Sequence, residues 1–202
     1  RSTLDRSSAE SDVYKRQVYR KGAKEHDLIV VSGDLGSAYL GLQVLNREKA
    51  VFESNPNMQP DLQNKDYILQ RQLRPEARKD IIEILNEKGI IPSSMIDISD
   101  GFIQDCNHLA RLSNLEFAIN IKNLPISDID LLSYEERLNA ALTGGDDYEL
   151  LFTSPPVHKV KINKIAKLHG LQITNIGYVK NGKNGQVTSN NRPINIDAYK
   201  HF

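Results

Sequence analysis

A single cysteine, Cys106, is all that this chain of 202 residues carries. One thiol excludes an intrachain disulfide and suits a reducing compartment, so cytoplasm is the expected setting. No apolar run approaches the roughly 20 residues needed to span a bilayer. The amino-terminal segment also lacks the apolar stretch that a signal peptide requires. An excess of charge is missing too, since 26 basic residues face 26 acidic ones. A neutral chain without a basic stripe gives no electrostatic reason to bind a nucleic-acid backbone or an anionic membrane. None of the 5 histidines stands at zinc-ligand spacing with Cys106. No Ser/His/Asp order and no reactive-cysteine setting points to a covalent nucleophile.

What is present has the composition of a soluble globular protein, 39% hydrophobic and 26% charged, with enough length for one domain and a real core. Residues 1–17, "RSTLDRSSAESDVYKRQ", are polar and show neither the strand nor the helix period. They are expected to be a non-native or disordered leader, leaving residues 18–202 as the folded unit.

From there strands and helices alternate. "HDLIVVSG" is a short apolar run suited to a strand buried on both faces. A helix with Ala38, Leu42 and Leu45 at helical spacing should follow, then a polar loop from Ser54 to Asp66. Pro75 is placed to open a second helix with Ala77, Ile81, Ile84 and Leu85 on one stripe and Gly89 at a left-handed C-cap. "SSMIDIS" predicts a strand, and "GFIQDCNHLARLS" a helix facing inward through Phe102, Cys106, Leu109 and Ala110. "EFAINI", "YELLFTS" and "LQITNIGYVK" read as further strands, with a helix over "PVHKVKINKIAKLHG" and a hairpin-type turn at "NGKNG". The pattern is that of a layered α/β or α+β domain.

Two segments can carry chemistry. In "MIDISDGF", Asp97 ends a predicted strand, Ser99 and Asp100 form the turn, and Gly101 opens a helix. Carboxylates three residues apart at such a turn can converge above the sheet edge, where helix amides favour phosphate oxygens and hard oxygens suit Mg²⁺. Ser99 or Asp100 is equally suited to a plain helix cap. Asp105 and His108 continue one face of that helix and are expected to be solvated or packed surface. In "ALTGGDDYELLF", a glycine pair precedes Asp146 and Asp147, whose side chains should diverge to different faces. A tight turn before a strand explains the same residues. "SGDLGS" lacks the spacing of a nucleotide-binding glycine loop and reads as a turn, with a phosphate cradle as the alternative.

Taken in order, "RKGAKEHDLIVVSGDLGSAYLGL", "MIDISDGF", "ALTGGDDYELLF" and the terminal "AYKHF" resemble the second half of the thiamine-monophosphate kinase family. That family lies within the aminoimidazole-ribonucleotide-synthetase-like superfamily. The resemblance implies its carboxyl-terminal domain, a mixed sheet with helices packed on it. It implies transfer of the ATP γ-phosphoryl group to thiamine monophosphate, giving thiamine diphosphate, with Mg²⁺ as cofactor and ATP as co-substrate. It also implies roles: Asp97 and Asp100 as Mg²⁺ ligands, Arg20 and Ser99 as ATP contacts, Asp146 and Tyr199 as substrate contacts. The family's amino-terminal domain, with most of its metal-binding aspartates and the homodimer contact, has no match here. The remaining alternatives are another ATP-using synthetase of the superfamily and a catalytically inert fragment.

Overall fold

The computed structural model describes residues 17–129, 132–182 and 185–194. Its centre is one sheet built from β1 (Leu28–Ser32), β2 (Ser94–Asp97), β3 (Glu116–Ile119), β4 (Leu150–Ser154), β5 (Ile173–Lys180), β6 (Val187–Ser189) and β7 (Arg192–Pro193). The strand order is β2-β4-β1-β5-β3-β6-β7. β1 pairs antiparallel with both β4 and β5, and β3 pairs parallel with β6, so the sheet is mixed. Six α-helices are described: α1 (Ser37–Ser54), α2 (Asp66–Leu73), α3 (Lys79–Glu87), α4 (Phe102–Ser113), α5 (Tyr134–Thr143) and α6 (Lys159–His169).

β1 sits mid-sheet and every one of its residues is buried, which is why it reads as an unbroken apolar run. Its side chains alternate between two cores. Ile29 and Val31 join Ile96, Phe117, Leu151 and Ile176 beneath Phe102, Cys106 and Leu109 of α4. Leu28 and Val30 join Phe152 on the other face, beneath Ile81 and Leu85 of α3 and Ile162 and Ile165 of α6. The result is a layered α/β domain with helices on both faces of a mixed sheet. The inward face expected for α4 is confirmed residue by residue. Cys106 is fully buried, and burial pushes its thiol pKa up, which leaves it inert.

The structure corrects the sequence reading in three places. The inner face of α1 is carried by Ala38, Leu40 and Gly41, while Leu42 and Leu45 are half-buried. The cause is α2, absent from the sequence reading, whose Ile68 packs on Leu40 and turns α1 toward it. The helix after Pro75 begins at Lys79, because Arg78 holds a non-helical cap position with its guanidinium drawn to Glu149 and Asp80. Gly89 does follow it in the left-handed region, at φ 64°. The strands on either side of "NGKNG" do not pair with each other: β5 is already paired on both edges, by β1 and β3, and β6 adds to β3 instead. Among the described residues no helix is long and apolar enough to cross a membrane.

Phe117 is fully buried in the core under α4. Phe117→Ala should lower the free energy of unfolding by about 3–5 kcal/mol. Urea titration of the chain checks this, and a loss under about 1 kcal/mol contradicts the placement.

Candidate functional site

At the sheet edge where β2 ends and β4 begins, the two chemically suggestive segments meet. Asp97 closes β2 opposite Leu150. Beyond that pair the backbones stay joined after regular strand geometry ends. The amide of Ile98 donates to the Glu149 carbonyl at 2.8 Å, that of Tyr148 to the Ile98 carbonyl at 2.8 Å, and that of Asp146 to the Ser99 carbonyl at 3.0 Å. The turn then enters α4 through Gly101, at φ 110°. A Cβ there would fall 2.8 Å from the Thr143 carbonyl oxygen, so both conformation and contact demand glycine. Asp146 and Tyr148 themselves stand at φ 65° and 52°, a region that non-glycine residues enter at a cost.

This pinning gathers negative charge. The Tyr148 hydroxyl lies 3.4 Å from an Asp146 carboxylate oxygen. Partial burial raises its pKa, and the charges of Asp146, Asp97 and Asp100 push in the same direction. Asp97, Ser99, Asp100 and Asp146 are all half-buried. Among the described residues none of these three carboxylates has an ion-pair partner. Uncompensated hard oxygens on a half-enclosed turn fit a divalent cation.

Asp105, expected at the surface, is 1% exposed. Its Oδ2 accepts from the amides of Ser99 at 3.0 Å and Asp100 at 3.1 Å, so it clamps the turn that presents the other two aspartates. Burial pushes its pKa up to about 6, opposed by the Asp100 amide and helped by the Asp100 and Asp97 charges. Its spacing from the turn was visible in the sequence, but a carboxylate one helical turn into α4 reads equally well as surface.

Asp146 and Asp147 diverge as expected. Asp147 points away from the cluster and accepts from the amides of Gly36 at 2.8 Å and Ala38 at 3.3 Å, anchoring the start of α1. Burial pushes its pKa up to about 7. Next to it Glu149, 2% exposed, takes the guanidiniums of Arg71 at 3.1 Å and Arg78 at 2.7 Å and the hydroxyl of Ser32. A Cβ on Gly33 would lie 2.2 Å from the Glu149 carboxylate, so the glycine of "SGDLGS" makes room for this brace. Three of the loop's amides and the one just after it bond inside the protein: Gly33 to Gln172, Leu35 to Pro125, Gly36 and Ala38 to Asp147. These inward bonds favour the turn reading of the segment. Arg71 and Arg78 went unnoticed in the sequence because nothing local marks an arginine whose partner lies more than 70 residues away.

Arg20 is exposed and is not brought against the aspartates. The Met95 amide donates to the Tyr19 carbonyl and Gly22 lies against the Ser93 carbonyl, so residue 20 runs beside the start of β2. That is about 10 Å along the strand from Asp97. Tyr199 lies outside the described residues.

Two outcomes follow from the brace. Glu149→Gln leaves the mostly buried Arg71 guanidinium without its carboxylate and Arg78 with Asp80 alone, and should cost about 3 kcal/mol in urea unfolding; a loss under about 1 kcal/mol contradicts the network. Asp105 and Asp147 hold protons in the folded chain to higher pH than in the unfolded one. Their contribution to stability therefore falls as pH rises from the ordinary carboxylate range through about 6 and about 7. Asp147→Asn should flatten the fall in thermal midpoint between about pH 5 and 8, and an unchanged slope contradicts the burial cost.

The model for the family "AIR synthase related protein, C-terminal domain" matches residues 24–190. The thiamine-monophosphate kinase of Aquifex aeolicus is 34% identical over 193 residues, which cover 93% of this chain and 56% of that protein. The crystal structure of thiamine-monophosphate kinase from Stenotrophomonas maltophilia K279a superposes with a TM-score of 0.75 at 28% identity, over 90% of this chain and 55% of that one. AaThiL complexed with AMPPCP and TMP gives a TM-score of 0.72 at 33% identity, over 93% and 55%. The chain spans about half the length of the curated relatives it matches. With the matched segment running from the residues before β1 to β6, the chain belongs to the AIR synthase related protein family, as a C-terminal domain resembling that of the thiamine-monophosphate kinases.

Proposed function

We propose that this domain serves ATP-dependent phosphorylation of thiamine monophosphate to thiamine diphosphate. The observation that carries the reading is the set of carboxylates Asp97, Asp100 and Asp146, held by backbone bonds at one sheet edge and without an ion-pair partner among the described residues. Support also comes from the likeness to AaThiL, whose structure holds AMPPCP, an ATP analogue, and TMP.

In this reading Asp97 and Asp100 are the Mg²⁺ ligands, fitting as hard oxygens that no described lysine or arginine neutralises. Mg²⁺, when bound, supplies positive charge against the phosphate oxygens. Ser99 follows Asp97 in the same turn and offers its hydroxyl to the nucleotide. The first turn of α4 comes next, and its positive end favours phosphate. Arg20, exposed and without a partner among the described residues, is free to reach an ATP phosphate through its guanidinium fork. Asp146 faces the same edge and supplies an anion for the cationic ring of the substrate; Tyr199 is assigned the remaining ring contact. Asp105 holds the turn in place. The acceptor is a phosphate oxygen, largely ionised near neutrality because its second pKa is about 6, so no general base is required. Catalysis then rests on positioning and charge stabilisation. Residues 18–202 form the kinase's carboxyl-terminal domain, cytoplasmic in setting, and a whole kinase of this kind is taken to be a homodimer.

Calorimetric titration of the chain with AMPPCP in the presence of Mg²⁺ is the test. Asp97→Ala should weaken Mg²⁺-dependent binding, and in any assay that gives thiamine diphosphate it should lower turnover by about 100-fold or more. Equal binding and turnover in parent and variant contradict the metal role. Binding of both ligands without turnover identifies the domain as competent to bind but inert alone.

A further inference from the structure

One side-chain cluster beside the proposed phosphate site has a donor set that Mg²⁺ does not call for. A carboxylate oxygen from each of Asp100 and Asp105 and a ring nitrogen of His108 lie within 4.8 Å of one another. Tetrahedral bonds of about 2.1 Å to a common ion place ligand atoms about 3.4 Å apart, so the half-buried side chains of Asp100 and His108 would turn inward toward the fixed Asp105 to complete the set. The spacing arises from the helix: Asp105 and His108 are three residues apart and share a face of α4, and Asp100 stands at the turn just before it.

Two features separate this cluster from a solvated acidic patch. First, it contains imidazole, half-buried at His108 and without an ion pair among the described residues. Second, Asp105 is 1% exposed, and both hydrogen bonds it accepts end on Oδ2, so Oδ1 has no donor among the described residues. That leaves Oδ1 free to meet a cation. Oδ2, fixed by two amides, holds the carboxylate in one orientation, as groups behind a metal ligand commonly do. Mixed imidazole and carboxylate ligands favour later first-row ions over Mg²⁺, which takes oxygen almost exclusively.

We infer that Asp100, Asp105 and His108 form a three-ligand site for a divalent transition-metal ion, Zn²⁺ being the best match. The inference rests on the reading of the aspartate turn as a cation site and extends it by a nitrogen ligand. Three protein ligands leave a fourth position open. The ion would compete with Mg²⁺ for Asp100, so transition-metal ions would bear on occupancy of the kinase site.

The test is calorimetric titration of the full chain with ZnCl₂ in a non-chelating buffer. The expected result is one ion per chain, with affinity reduced about tenfold or more in His108→Gln and likewise in Asp105→Asn, while His169→Ala on α6 keeps the parent affinity. The variant at His108 is the safer reading, since Asp105 also clamps the turn; circular dichroism confirms that each variant is folded. No zinc binding by the parent, or the same affinity in His108→Gln, overturns the site. A parallel Mg²⁺ titration of the unaltered chain bears on the kinase reading alone, so failure of that reading is told apart from failure of this one.

Discussion

Three backbone hydrogen bonds, from Ile98, Tyr148 and Asp146 across to the facing segment, hold the chemistry of this domain together. They continue the β2–β4 ladder into residues that are no longer in strands and set Asp97, Asp100 and Asp146 on one edge. Without them the two motifs are separate turns, each explained by local capping. With them, one rigid strand pair fixes several carboxylates, which is how scaffolds present groups more precisely than free loops do. The cost shows in the left-handed backbone of Asp146 and Tyr148 and in the raised phenol pKa of Tyr148.

Such a cluster must be stabilised from behind. Glu149 and Asp147 share the segment with Asp146 but face the other way, into arginines and helix amides. Replacing a buried ion pair by apolar groups often stabilises a fold, so the network is better understood as specifying one position for the segment than as a source of net stability. Asp105 does the same for the opposing turn, from α4. The half-buried face carries carboxylates without an ion-pair partner among the described residues, and the buried face carries paired charge.

Much of the fold was legible because it follows from periodicity. β1 announced itself as a doubly buried strand, and Phe102, Cys106, Leu109 and Ala110 gave the inner face of α4. The divergence of Asp146 and Asp147 was expected from the strand they precede, although the backbone there enters the left-handed region and is not a strand. What escaped notice depends on contacts distant in sequence: α2, which rotates α1; Arg78, whose pull toward Glu149 delays α3; and β6, which joins β3 because β5 has no free edge. Asp105 escaped for a different reason. A carboxylate in the first turn of a helix is favoured on the surface and in a clamp alike, and only burial separates the two.

The account depends on a divalent ion settling at the aspartate turn. The most direct measurement is Mn²⁺-induced broadening of backbone amide resonances in the isotope-labelled chain, with Mn²⁺ standing in for Mg²⁺. The prediction is broadening centred on Asp97 to Gly101 and on Asp146 to Tyr148, two stretches far apart in sequence and joined only by the strand-edge hydrogen bonds. Broadening spread evenly over the surface, or centred away from both stretches, would contradict it.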